Sequence, residues 1–122
     1  LIEQGKRWRK MLGGGMRQAG VIAAAGLYAL QNNVQRLAQD HANAAWLAAQ
    51  LSKIGLLQVS VPQTNILYIG VPREACEGLN AALAAERIRV SMAPTLRLVT
   101  HLDVTRADLE HVAAVFAHYF KQ

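Results

Sequence analysis

Thr95-Leu96-Arg97-Leu98-Val99-Thr100-His101 reads as a β-strand. Its side chains alternate: Leu96, Leu98 and Thr100 point one way, while Thr95, Arg97, Val99 and His101 point the other. Two leucines on one side imply a sheet packed against something apolar. Arg97 should therefore lie on the opposite face. Beyond the strand, Thr105 and Asp108 stand three apart, as in a capping box with Asp where Glu or Gln is usual. Leu109, Val112, Ala113, Phe116 and Phe120 then recur at helical spacing, so a final helix is expected.

Working back from Thr95, Pro94 punctuates the chain and Ile88 to Met92 reads as another short strand. Pro72 opens a helix with Glu74 in its first turn and Ala75, Leu79, Ala82 and Leu83 on its apolar side. Leu57 to Val61 and Asn65 to Gly70 read as two strands separated by Pro62-Gln63-Thr64. From Arg17 to Ile54 the pattern is helical, with Leu27, Leu30, Val34, Leu37, His41, Ala44, Ala48 and Leu51 on one stripe. Asn32-Asn33 is its weak spot, because asparagine prefers caps and turns. Either one kinked helix or two helices meeting there is expected.

These elements imply an α+β fold: a long N-terminal helix, kinked or broken, followed by a small, mostly antiparallel sheet with helices on one face. The expected division is a basic, glycine-rich segment over 1–20, a long interdomain helical region over 21–56 and a small α+β domain over 57–122. A helix of about 35 residues would reach roughly 50 Å at 1.5 Å per residue, too long for this sheet to cover. Part of its apolar stripe should face another domain or subunit.

The chain has 122 residues, 52% of them hydrophobic, and a formal charge of +5. That composition excludes a disordered segment. No apolar run is long enough to span a bilayer, so no membrane partner is expected. The start at Leu1 has no initiator methionine and no signal-peptide pattern, which leads us to expect a fragment or cleavage product. Cys76 is the one cysteine; it is expected to be a small packing residue and fits a reducing, cytoplasmic compartment. Lys6, Arg7, Arg9, Lys10 and Arg17 cluster near the start and would attract an anion. The aromatic interleaving and fold signals of a nucleic-acid-binding module are missing, so no nucleic acid is expected as partner.

Few residues could carry chemistry. Gly13-Gly14-Gly15 could cradle an anion with its N–H groups, or could be a hinge; it is neither a P-loop nor GxGxxG. Arg97, flanked by apolar neighbours in mid-strand, is not expected to be solvated like an ordinary surface charge. Its donor fork suits a carboxylate, either that of a ligand or that of Asp103 or Asp108 in a structural ion pair. His41 is expected to pack on the helical stripe, His101 to pack or cap, and His111 and His118 to lie on the surface. No histidines or acids have metal-ligand spacing, so no metal is expected. A serine nucleophile elbow and a supported Cys/His pair are both missing.

Arg7-Trp8-Arg9-Lys10-Met11-Leu12-Gly13-Gly14-Gly15-Met16-Arg17-Gln18 closely resembles the segment that follows the cofactor lysine in low-specificity L-threonine aldolases. Arg97-Leu98-Val99-Thr100-His101-Leu102-Asp103-Val104 resembles a run near their end. Ala23-Ala24-Ala25-Gly26, Tyr28-Ala29-Leu30, Asp40-His41, Asn43-Ala44-Ala45-Trp46 and Thr64-Asn65 extend the similarity between them. The resemblance implies the C-terminal part of a fold type I pyridoxal-phosphate enzyme, usually a homotetramer. Such an enzyme cleaves L-threonine or L-allo-threonine to glycine and acetaldehyde. It implies that Arg97 binds the substrate α-carboxylate. Lys10 matches an active-site neighbour that is not the Schiff-base lysine, and Arg17 matches a cofactor-phosphate contact across a subunit interface. The Schiff-base lysine and the rest of the cofactor domain would lie upstream, so the chain alone should be inactive. The alternatives are an anion- or nucleic-acid-binding module and an assembly domain without catalytic duty.

Overall fold

A computed structural model describes residues 1–121. The chain forms two compact units, Leu1–Gln35 and Arg36–Gln122.

In the first unit, α1 spans Ile2–Met11 and α2 spans Gly20–Asn32. Neither helix buries a residue. Helix α1 has no counterpart in the sequence reading, which treats 1–20 as a basic, glycine-rich segment. Its charges suit a helix: Glu3 lies in the first turn, with Arg9 and Lys10 in the last. Gly13, with φ +83°, and Gly14 close it. The Gly13 N–H donates to the Lys10 carbonyl at 3.2 Å and the Gly14 N–H to the Arg9 carbonyl at 2.7 Å, a Schellman arrangement. Helix α2 starts at Gly20, later than the periodicity suggests, after Gln18 adopts φ +49°. It ends at the expected weak spot, where the Asn32 side-chain amide donates back to the Tyr28 carbonyl at 2.8 Å. Of the two alternatives for 17–54, two separate helices is the one observed.

The second unit contains α3 (Leu37–Leu51), β1 (Gln58–Val59), β2 (Ile66–Gly70), a 3₁₀ turn (Arg73–Ala75), α4 (Cys76–Ala85), β3 (Thr95–Val99) and α5 (Arg106–Tyr119). The three strands form an antiparallel sheet in the order β1-β2-β3. In its register Leu67 faces Leu98 and Ile69 faces Leu96, whereas Tyr68 faces Arg97. Leu67, Ile69 and Leu96 are fully buried with Ala44, Leu47 and Leu51 of α3, Leu79 and Leu83 of α4, and Phe116 of α5. The fold is thus mixed, combining helices with a small antiparallel sheet.

Several expectations need correction. Ile88 to Met92 is not a strand among the described residues. Helix α4 closes with the Arg87 N–H on the Ala84 carbonyl and the Ile88 N–H on the Leu83 carbonyl, at 3.0 and 2.9 Å, through Arg87 at φ +62°. The first donor of the expected strand is therefore engaged by the helix. Ile88, Val90 and Met92 still alternate toward the core, so the pattern records burial without a ladder. The strand expected over Leu57 to Val61 shrinks to two residues. His41 is exposed rather than packed. Asp40 and Asn43 are buried in its place, because α3 begins afresh at Leu37 and does not continue the α2 stripe. Cys76 is half-buried against the core, as a packing residue would be.

Candidate carboxylate-binding site

Strand β3 presents Arg97 on the face opposite Leu96, following the alternation of its sequence. Contrary to expectation, that face leaves Arg97 exposed. A mid-strand arginine between leucines stays solvated because its neighbours point through the sheet to the other side. Tyr68, directly across in the register, is 46% exposed, so a guanidinium and a phenol stand side by side on one open surface. The backbone beneath Tyr68 is held by Ser60, whose hydroxyl accepts the Tyr68 N–H at 2.8 Å.

Neither acid considered as an Arg97 partner pairs with it. Asp103 stands 3.6 Å from His101, and Asp108 accepts from Thr105 in the cap of α5. His101 lies beyond the strand end, exposed, its Nδ1 accepting the Asp103 N–H at 3.3 Å. It caps its own turn. Among the described residues Arg97 makes no ion pair, and its side chain is on the exposed face of the sheet. This arrangement can bind a planar anion through two parallel hydrogen bonds, with the Tyr68 hydroxyl available to a second polar group.

Past its end, β3 is fastened to α3 as well as to β2. Thr100, 1% exposed, donates its hydroxyl to the Asp40 carbonyl of α3 at 2.7 Å. Its N–H donates to the Asn65 carbonyl at 2.9 Å, and its carbonyl accepts the Asn65 side-chain amide at 2.8 Å. Asp40 in turn takes both terminal nitrogens of Arg36, at 3.0 and 2.8 Å. The sequence offers no direct signal for this network, since its members are up to 60 residues apart and meet only once the strand register exists.

Lys10 and Arg17 belong to the first unit. Both are exposed and have no ion-pair partner among the described residues. The Lys10 side chain lies over Gly15, where an added Cβ would stand 2.7 Å from its Cδ and 3.0 Å from its Nζ. The N–H groups of Gly13 and Gly14 are engaged in closing α1. The anion cradle considered for the three glycines therefore loses two of its donors, and the glycines act as a helix stop. No group of three or more metal-ligating side chains occurs among the described residues, and no described helix is long and apolar enough to cross a membrane. A groove of about 630 Å³ beside Trp46, Ile54 and Phe120 lies between α3 and α5, and Arg97 is not part of its lining.

Comparison with known proteins adds a second line of argument. The beta-eliminating lyase family profile matches residues 1–73. The chain is 50% identical over 113 residues to the low specificity L-threonine aldolases of Escherichia coli O157:H7 and strain K12, covering 93% of this chain. It is 33% identical over 128 residues to low-specificity L-threonine aldolase 1 of Arabidopsis thaliana, covering 94% of this chain. In each case the match covers 34% of the relative, so the chain spans about a third of the length of these curated relatives.

Proposed function

The chain belongs to the beta-eliminating lyase family, and from that premise we propose that it supplies the carboxylate-binding part of a pyridoxal-phosphate-dependent L-threonine aldolase. The whole enzyme would cleave L-threonine or L-allo-threonine to glycine and acetaldehyde as a cytoplasmic homotetramer. The observation that carries this reading is Arg97: a guanidinium exposed on an open sheet face, with no carboxylate of the described chain to satisfy it. Its fork would hold the substrate α-carboxylate and so help orient the Cα–Cβ bond.

The residues of the first unit are compatible with the cofactor. Lys10 and Arg17 are cations without an ion-pair partner among the described residues, and Gly15 leaves room where a Cβ would crowd Lys10. That chemistry suits a phosphate. In this reading Arg17 meets the phosphate across a subunit interface, and Lys10 is an active-site neighbour that does not form the Schiff base. Pyridoxal phosphate, when bound, supplies the sink for the electrons of the broken bond. Its lysine would lie in the cofactor domain and not among the lysines of this chain, which alone would be inactive. Segment 1–20 would lead from that domain, 21–56 would run between domains, and 57–122 would form the small domain, residue 122 lying outside the described residues.

The test is retro-aldol kinetics of the complete protein on L-threonine. Hydrogen bonds to charged groups contribute roughly 1.5–3 kcal/mol each, so Arg97→Ala should lower kcat/KM by about a hundredfold or more. Arg97→Lys should recover little, because an ammonium has no planar fork. Cofactor absorbance should survive both changes. An alanine variant with near-normal kcat/KM would remove Arg97 from the site.

A further inference from the structure

The hydrogen bonds at the end of β3 have a consequence for Arg97. Thr100 follows β3 directly, three residues on from Arg97, and is buried where Arg97 is exposed. An exposed arginine in mid-strand has no packing of its own to hold its backbone. Its position is inherited from the strand, which is held along its length by the β2 ladder and buried Leu96 and, past its end, by Thr100. At the far end the Thr100 backbone is bonded in both directions to Asn65, the residue that precedes β2. This continues the ladder one step past Ile66 and Val99. The Thr100 hydroxyl then ties that corner to α3 through the Asp40 carbonyl. Asp40 is itself immobilised, 3% exposed and bidentate with Arg36.

We propose that Thr100 is a positioning residue for Arg97, with the Asn65 clamp and the Arg36-braced Asp40 carbonyl as its anchors. The inference rests on the reading of Arg97 as the carboxylate ligand. Thr100 touches no substrate. It sets the height and tilt at which β3 offers the guanidinium, together with the neighbouring Tyr68 on β2. A fork that must make two hydrogen bonds at once is sensitive to such a shift, because displacing it lengthens one bond as it shortens the other.

The experiment is a double-mutant cycle in the complete protein with its cofactor. Thr100→Val keeps the shape and removes the hydroxyl. Because a displacement of about 1 Å remote from the chemistry can cost a hundredfold, kcat/KM for L-threonine should fall by about tenfold to a hundredfold. Thr100→Ser should recover most of that loss, since it restores the donor. Against an Arg97→Ala background Thr100→Val should add almost nothing, because no fork is left to position. Asn65→Ala, which removes one clamp bond at a half-buried site, should show the same dependence on Arg97 and decides the matter if Thr100→Val does not fold. Equal losses with and without Arg97, or no loss in either variant, would overturn the proposal while leaving Arg97 as the ligand. Near-normal kinetics for Arg97→Ala alone would overturn the site itself and this inference with it.

Discussion

Thr105 and Asp108 hold the first turn of α5 by reciprocal hydrogen bonds. The Asp108 N–H donates to the Thr105 hydroxyl at 3.2 Å, and the Asp108 carboxylate accepts from the Thr105 hydroxyl at 2.6 Å and the Thr105 N–H at 2.8 Å. The hydroxyl first and the backbone N–H second hold the Asp108 carboxyl below its usual range. A carboxyl with a lower pKa folded than unfolded contributes stability that is present above the unfolded pKa. That contribution is lost as pH falls through the folded pKa. Asp108→Asn should therefore lower the urea midpoint near neutral pH, with the difference from wild type shrinking toward the acid end. A difference independent of pH would show that the charge plays no part. Thr105→Ala removes the cap itself and should cost about 1 kcal/mol. This cap was readable from two residues three apart because both partners are local. The solvation of Arg97 was not, because the sequence turns Arg97 away from Leu96 and Leu98 without showing that nothing in the second unit covers that face of the sheet.

Among the elements, the end of α4 shows how a local conflict is resolved. Arg87 occupies the left-handed position of the helix closure, where glycine is usual. A side chain there costs roughly 1–2 kcal/mol. Arg87→Gly should thus stabilise the fold by up to about 1 kcal/mol, after allowing for glycine's greater freedom when unfolded, read as a higher denaturation midpoint. A lower midpoint would mean that the Arg87 side chain makes contacts worth more than the strain. The same closure explains why Ile88 to Met92 imitates a strand. Alternating burial needs only an extended segment beside the core, whereas a strand also needs a neighbour for its N–H groups. Sequence periodicity reports the first condition and is blind to the second. Helix α1 is the reverse case, a helix that forms without burying any residue.

Across the whole molecule the buried core lies within the second unit, while α2 exposes Val21, Ile22, Leu27, Tyr28 and Leu30. The sequence reading expects part of this helical stripe to face another domain or subunit. The lysines bear on the same question. Lys6, Lys10, Lys53 and Lys121 are all exposed, Lys53 and Lys121 on the lining of the open groove between α3 and α5. Adding pyridoxal phosphate to the 122-residue chain and reducing with borohydride should leave no stoichiometric pyridoxyl-lysine on any of them, as read by peptide mass. One fully labelled lysine would show that the chain carries its own cofactor anchor and would overturn the division of labour proposed above.

The sequence by itself determined what depends on near neighbours. The alternation that turns Arg97 away from Leu96, the cap at Thr105, the break after Asn32 and the resemblance to threonine aldolases all lie in short runs of residues. Only the tertiary structure decided which extended segments share a ladder, that Arg97 is open to solvent beside Tyr68, and that Thr100 meets both Asp40 and Asn65. Those features join residues 10 to 60 positions apart. Their energies exist only after the intervening chain has been ordered, so no local pattern of residue types encodes them.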